Sequence, residues 1–242
     1  MTLIGDTIAW LTDPVNWSGP NGIPVRMGEH IAISAVSLVI ALAIALPVGL
    51  YIGHTGRGAN LAINAANIWR ALPSLAVIAI SLPITAAIDP QAGFRIYPTV
   101  IAMVVLAVPP ILVNAYTGLR EVDRETVEAA RGQGMSERQL LTRVELPLAT
   151  PVIVTGVRSG TVQVIATATL GAIFGFGGLG RFLVDGFAQF SLGGAAEMLG
   201  GVVLVSGLVI VADLLFAGLQ RLLTPSAIRS QRAEKSEAAS AA

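Results

Sequence analysis

Apolar residues come in long blocks along this chain, not in the alternation of a strand or the narrow stripe of a surface helix. The blocks, at roughly 30–53, 61–88, 97–118, 148–172 and 196–221, each reach the length of about 20 residues that a bilayer-crossing helix needs. This pattern predicts an all-α polytopic membrane protein with five transmembrane helices. Pro47, Pro73, Pro83, Pro109 and Pro110 fall inside the blocks, so kinks or breaks are expected there. Residues 1–29 read as an extracytoplasmic or interfacial segment. Trp10, Trp17 and the patch Leu3, Ile4, Ile8 and Leu11 suit the headgroup level, and an ordinary unstructured terminus is the alternative. Residues 30–222 make the membrane domain, and 223–242, rich in Ala, Ser, Glu and Arg, read as a disordered tail.

The pattern changes once, in the polar stretch Glu128–Pro147 between the third and fourth blocks. It predicts two short helices with a break. The first runs over Arg120–Arg131, and the step Gly132-Gln133-Gly134 ends it, since glycine accepts the left-handed conformation at little cost. Ser136 with Gln139 three residues on has the spacing of a capping box. Leu140, Leu141 and Val144 then fall on one face, and Pro147 marks the return into an apolar block. A short, capped helix with one apolar face at a membrane surface has the shape to dock in a groove of another protein.

Glu128-Ala129-Ala130, Gly134 and Val144-x-Leu146-Pro147 match the spacing of the EAA loop of bacterial ABC importer permeases, with Val in place of Ile. The chain resembles that family. The resemblance implies a MetI-like type I permease fold with a cytoplasmic EAA coupling loop over 119–147. It also implies that Glu128, Ala129, Ala130, Gly134, Leu140, Leu141, Val144, Leu146 and Pro147 serve coupling to a separate ATPase. A closer resemblance, to the osmoprotectant permeases for glycine betaine, choline, carnitine or proline betaine, covers about residues 28–222. It is carried by Glu29-His30, Arg70-x-x-Pro73-Ser74-Leu75-Ala76, Asn114-x-Tyr116-Thr117-Gly118-Leu119, Gly156-x-Arg158, the glycine run Gly175–Gly180 and Asp213-Leu214-Leu215. The partners so implied are an ABC ATPase dimer, a second permease subunit and an extracellular substrate-binding protein. ATP and Mg would sit on the ATPase, so no cofactor is expected in this chain. Cargo remains open on this ground: methionine or another small solute is the alternative, or, in a different class, a proton-coupled carrier or channel using Asp213.

Composition supports a membrane chain: 54% hydrophobic, 12% charged, mean hydropathy +0.74. Zero net charge argues against a nucleic-acid partner, and without cysteine there is no thiol chemistry. Basic residues flanking the blocks are unequally shared. Arg57, Arg120, Arg124, Arg131, Arg138, Arg143, Arg221, Arg229, Arg232 and Lys235 lie on one side, against Arg26, Arg95 and Arg181 on the other. Ten against three places the amino terminus outside the bacterial plasma membrane, with the coupling loop and carboxyl tail in the cytoplasm.

Charges inside the blocks mark candidate chemistry. Arg158 and Asp213 fall at similar depths, which suits an ion pair between the fourth and fifth spans; Arg70 is the rival partner, and snorkelling is the other outlet for the arginines. Arg70, Pro73, Ser74, Asn114 and Tyr116 are candidates for the translocation path or its gate. Asn114, Tyr116 and Thr117 follow the double proline, where a broken helix can line a cavity, although Asn114 also suits a bond between helices. His30 and His54 read as isolated interfacial residues, and no His or carboxylate spacing fits a metal. Gly175–Gly180 spells G-x-G-x-x-G, yet no strand–helix alternation surrounds it, so a tight outer turn is expected in place of a dinucleotide loop. With 13 aromatic residues scattered singly, tight binding of a quaternary ammonium belongs on a separate binding protein.

Overall fold

A computed structural model describes residues 2–223, apart from the side chains of Leu61, Ala62 and Arg70. Every element among the described residues is a helix. Of the predicted tail, 223–242, residue 223 ends the last helix and 224–242 lie outside the described residues.

The first long rod is α2, Ile23–Thr55, preceded by the short α1, Leu3–Thr12. Pro24 occupies the first turn of α2, where its missing N–H costs nothing, and Gly56 closes the rod with φ 70°. Its 33 residues span about 50 Å, so it extends beyond the hydrocarbon core at one or both ends. The second apolar block is not one continuous helix. It breaks at Pro73 into α3, Ala59–Arg70, and α4, Ser74–Ile88, whose axes bend by 91°. Proline restricts the residue before it and cannot donate the helical bond, so the backbone turns there. The five expected spans are therefore four continuous helices plus this broken pair.

After the four-residue α5, Ala92–Arg95, comes α6, Tyr97–Arg120, the axis of the molecule. It carries Pro109 and Pro110 without interruption, and its two faces pack along α2 and along α9, Leu146–Ala168. The core they enclose joins Ile33, Ala41 and Ala45 of α2 to Met103, Ala107, Ile111 and Leu112 of α6 and to Val164 and Ala168 of α9. Small residues set the spacing. A Cβ on Gly49 would lie 2.8 Å from the Leu112 carbonyl oxygen, and one on Gly156 would lie 2.5 Å from the Asn114 Cβ. Such close backbone approach is how helices associate where lipid removes the hydrophobic drive.

The last rod is α11, Ala195–Leu223, preceded by α10, Gly180–Ala188. It lies on α9, α10 and α1, with Trp10 seated over Gly200 and edge-on to Phe182 at 5.2 Å. Leu3, Ile4 and Ile8 of α1 remain exposed, as do Ile80, Ile84 and Ile88 of α4 and Leu214, Leu215 and Leu222 of α11. These faces have the composition that lipid solvates.

Candidate coupling loop and intramembrane polar groups

The polar stretch folds as two helices, with different boundaries from those the sequence predicts. Arg120 belongs to α6; α7 covers Arg124–Gly132 and is capped by Asp123, whose carboxylate accepts from the Glu125 N–H at 3.2 Å. The chain reverses at Gly134, which takes φ +87°, whereas Gly132 stays helical. Helix α8, Glu137–Leu140, opens with the capping box: Gln139 N–H to the Ser136 hydroxyl at 3.4 Å, and Ser136 N–H to the Gln139 side chain at 2.9 Å.

Beyond α8 the chain does not break. It passes through one π-helical turn, Leu141–Glu145, straight into α9, with the Leu146 N–H donating to the Leu141 carbonyl. Pro147 explains the wide turn. It has no N–H for the Arg143 carbonyl, and its ring would collide with that carbonyl in an unbroken α-helix. The second helix of the loop is thus the leading end of the fourth rod.

The apolar face also differs from expectation. Leu140 is fully buried, and Leu141 and Leu146 pack with Leu119, Val122 and Ala149, so these residues seat the loop on its own chain. Val144 is half-buried, and Ala130 faces inward. What the loop presents outward is Glu128, Ala129, Gly134 and the ends of both helices, with Pro147 exposed behind them. Arg131 and Glu137 brace the loop across the turn at 3.1 and 3.2 Å, and that carboxylate raises the Arg131 guanidinium above its ordinary pKa.

Within the membrane domain, both carboxylate oxygens of Asp213 accept from Arg158, through Nε and Nη2. A second polar tie lies nearer the loop, where the Gln220 amide donates to the Pro151 carbonyl at 2.7 Å. Both join α11 to α9. The side chain of Arg70 lies outside the described residues. Pro73 is exposed at the corner it makes. Ser74 and Pro110 meet in a cleft of ≈ 410 Å³ with Leu72, Leu106, Ser159 and Gln163. Asn114 does not join it: its amide donates back to the Pro110 carbonyl at 2.8 Å and its side chain fills the space over Gly156. Tyr116 turns its backbone toward Gly53 of α2.

Neither histidine is isolated, contrary to the expectation from sequence. His30 is fully buried at the start of α2, its Nδ1 accepting from the Leu179 N–H at 3.3 Å and its Nε2 3.0 Å from the Ile165 carbonyl. Beside it, Glu29 accepts from the Gly178 N–H at 2.7 Å and from Arg26 at 2.8 Å. The glycine run is the turn these groups hold. Gly175 and Gly178 take φ +81° and +77°, and Gly177 lies so close to Glu29 that a Cβ would be 2.0 Å from its carboxylate. At the other end of α2, His54 meets Glu145. Neither contact can be read from local spacing, because each partner comes from more than 90 residues away in the chain.

A family model described as binding-protein-dependent transport system inner membrane component matches residues 45–229. The chain is 36% identical over 201 residues to the choline transport system permease protein OpuBB of Bacillus subtilis, covering 83% of this chain and 88% of that one. It is 33% identical over 207 residues to the glycine betaine/carnitine/choline transport system permease protein OpuCB of Bacillus subtilis, covering 86% and 91%. Among solved structures, an inward-facing MetNI methionine ABC transporter superposes with a TM-score of 0.74 at 24% identity, over 88% of this chain and 100% of that one. Matched over most of its length in both sequence and fold, the chain belongs to the family of binding-protein-dependent transport system inner membrane components, the membrane subunits of ABC importers.

Proposed function

We propose that this chain is the permease subunit of an ATP-driven importer for a compatible solute of the quaternary ammonium type, such as glycine betaine, choline or carnitine. The observation that carries this reading is likeness at 33–36% identity, over more than four-fifths of the chain, to permeases named for those solutes. Two such subunits, identical or paralogous, would enclose the path, with the cleft at Ser74, Pro110, Ser159 and Gln163 on its wall. Solute would come from an extracellular binding protein, and ATP hydrolysis from an ATPase dimer docked on the cytoplasmic side. The exposed face at Glu128, Ala129 and Gly134 would enter that ATPase. The unequal distribution of basic residues supports an outside amino terminus and a cytoplasmic coupling loop.

Proteoliposomes containing the complete transporter test the reading. ATP-dependent uptake of labelled glycine betaine, choline or carnitine is expected, without uptake of methionine; the reverse preference would overturn the cargo. Gly134→Trp places a large side chain where φ is positive and the surface is exposed. It is expected to abolish uptake while leaving the subunit in the membrane at normal yield. Full uptake by that variant would contradict docking through the loop.

A further inference from the structure

The inner end of α2 carries a contact that the coupling motif does not include. His54, in the last turn, places Nδ1 2.5 Å from the Glu145 carboxylate and Nε2 3.4 Å from that of Glu137. Glu137 is itself held by Arg131. A continuous chain of polar contacts, Arg131–Glu137–His54–Glu145, therefore ties the end of α7, the start of α8 and the π-helical turn to α2.

Incidental surface pairing does not account for it. The Glu145 side chain is 8% exposed and that of His54 14%, and a carboxylate stripped of that much water is costly without a partner. Glu145 also closes the π-helical turn, whose additional residue rotates the start of α9 by about 100° relative to a plain α-helix. The apolar seat of the loop, which includes Leu50 of α2, holds it close; such contacts are non-directional and resist sliding poorly. A paired carboxylate and imidazole fix direction as well as distance. Just before His54, Gly53 brings α2 so near α6 that a Cβ would lie 3.1 Å from the Tyr116 carbonyl oxygen. Movement delivered to α2 at this point reaches α6 with little slack.

We propose that His54 is a positioning residue for coupling: a joint that stays closed through the transport cycle and passes movement of the 124–145 loop to α2. This rests on the importer reading above.

The test uses the complete transporter in proteoliposomes, measuring glycine betaine uptake and ATP hydrolysis in the same vesicles. His54→Ala is expected to lower solute moved per ATP by about fivefold or more, with membrane yield and ATPase co-purification unchanged. His54→Gln, whose amide still donates to Glu145, is expected to recover most of that ratio. Glu145→Ala should match His54→Ala, and the double variant should be no worse than either. An unchanged ratio in His54→Ala overturns the joint. Should that variant fail to assemble, a second experiment decides. The chain has no cysteine, so His54→Cys/Glu145→Cys can be bridged by a short thiol-reactive linker. Retained coupling after bridging supports a joint that stays closed, and loss of uptake on bridging overturns it. Wild-type vesicles report on the importer reading separately: if they show no ATP-driven uptake, that reading and the joint built on it both fall.

Discussion

Asp213 is the residue whose surroundings constrain function most directly. Both its oxygens are taken by Arg158, so the carboxylate serves as the anchor of α11 to α9. A charged group at that depth is retained only with a partner. Asp213→Asn and Arg158→Gln are each expected to lower the yield of folded protein in the membrane. The charge-swapped pair Arg158→Asp/Asp213→Arg should recover part of it, as read by fluorescence-detected size exclusion; recovery no better than the singles would count against an anchor. Glu29 has a comparable role at the opposite end. It replaces water for the Gly178 N–H, in a turn that would admit no Cβ at Gly177. Glu29→Ala is expected to speed deuterium exchange across 175–180 without altering exchange in the 124–145 loop.

Elements show how packing reassigns residues that a motif groups together. Leu140 lies inside the span of the proposed coupling motif, yet it is fully buried among the residues of its own chain. Leu140→Ala should therefore destabilise the loop by about 2–5 kcal/mol, as for other buried leucines, and lower the thermal midpoint. Ala129→Arg, on the exposed side, should leave that midpoint unchanged and lose the ATPase on co-purification. The contrast between the two midpoints checks the assignment of faces. The capping box at Ser136 and Gln139 was legible from spacing alone, because capping is a local exchange of hydrogen bonds. The π-helical turn was not, since it reflects the competition between Pro147 and a helix that packing keeps continuous.

At the scale of the whole molecule, α6 organises the fold, with α2 and α9 on its flanks and α4 closing over it. That arrangement creates the cleft of ≈ 410 Å³, whose lining comes from separate parts of the chain. Ser159→Trp should fill it, stopping uptake while membrane yield and ATPase association persist; normal transport by this variant would remove the cleft from the path. As a permease, the subunit supplies access rather than chemistry.

Local and one-dimensional features were settled by the sequence: the apolar blocks and the polar loop with its cap and glycine hinge. Their causes act within one turn of helix or along one bilayer thickness. Tertiary structure alone decided which side of the loop is free, where Asn114 points, and that His30 and His54 are partnered. Those outcomes depend on groups brought together from far apart in the chain, where burial removes water and makes each polar side chain find a specific neighbour.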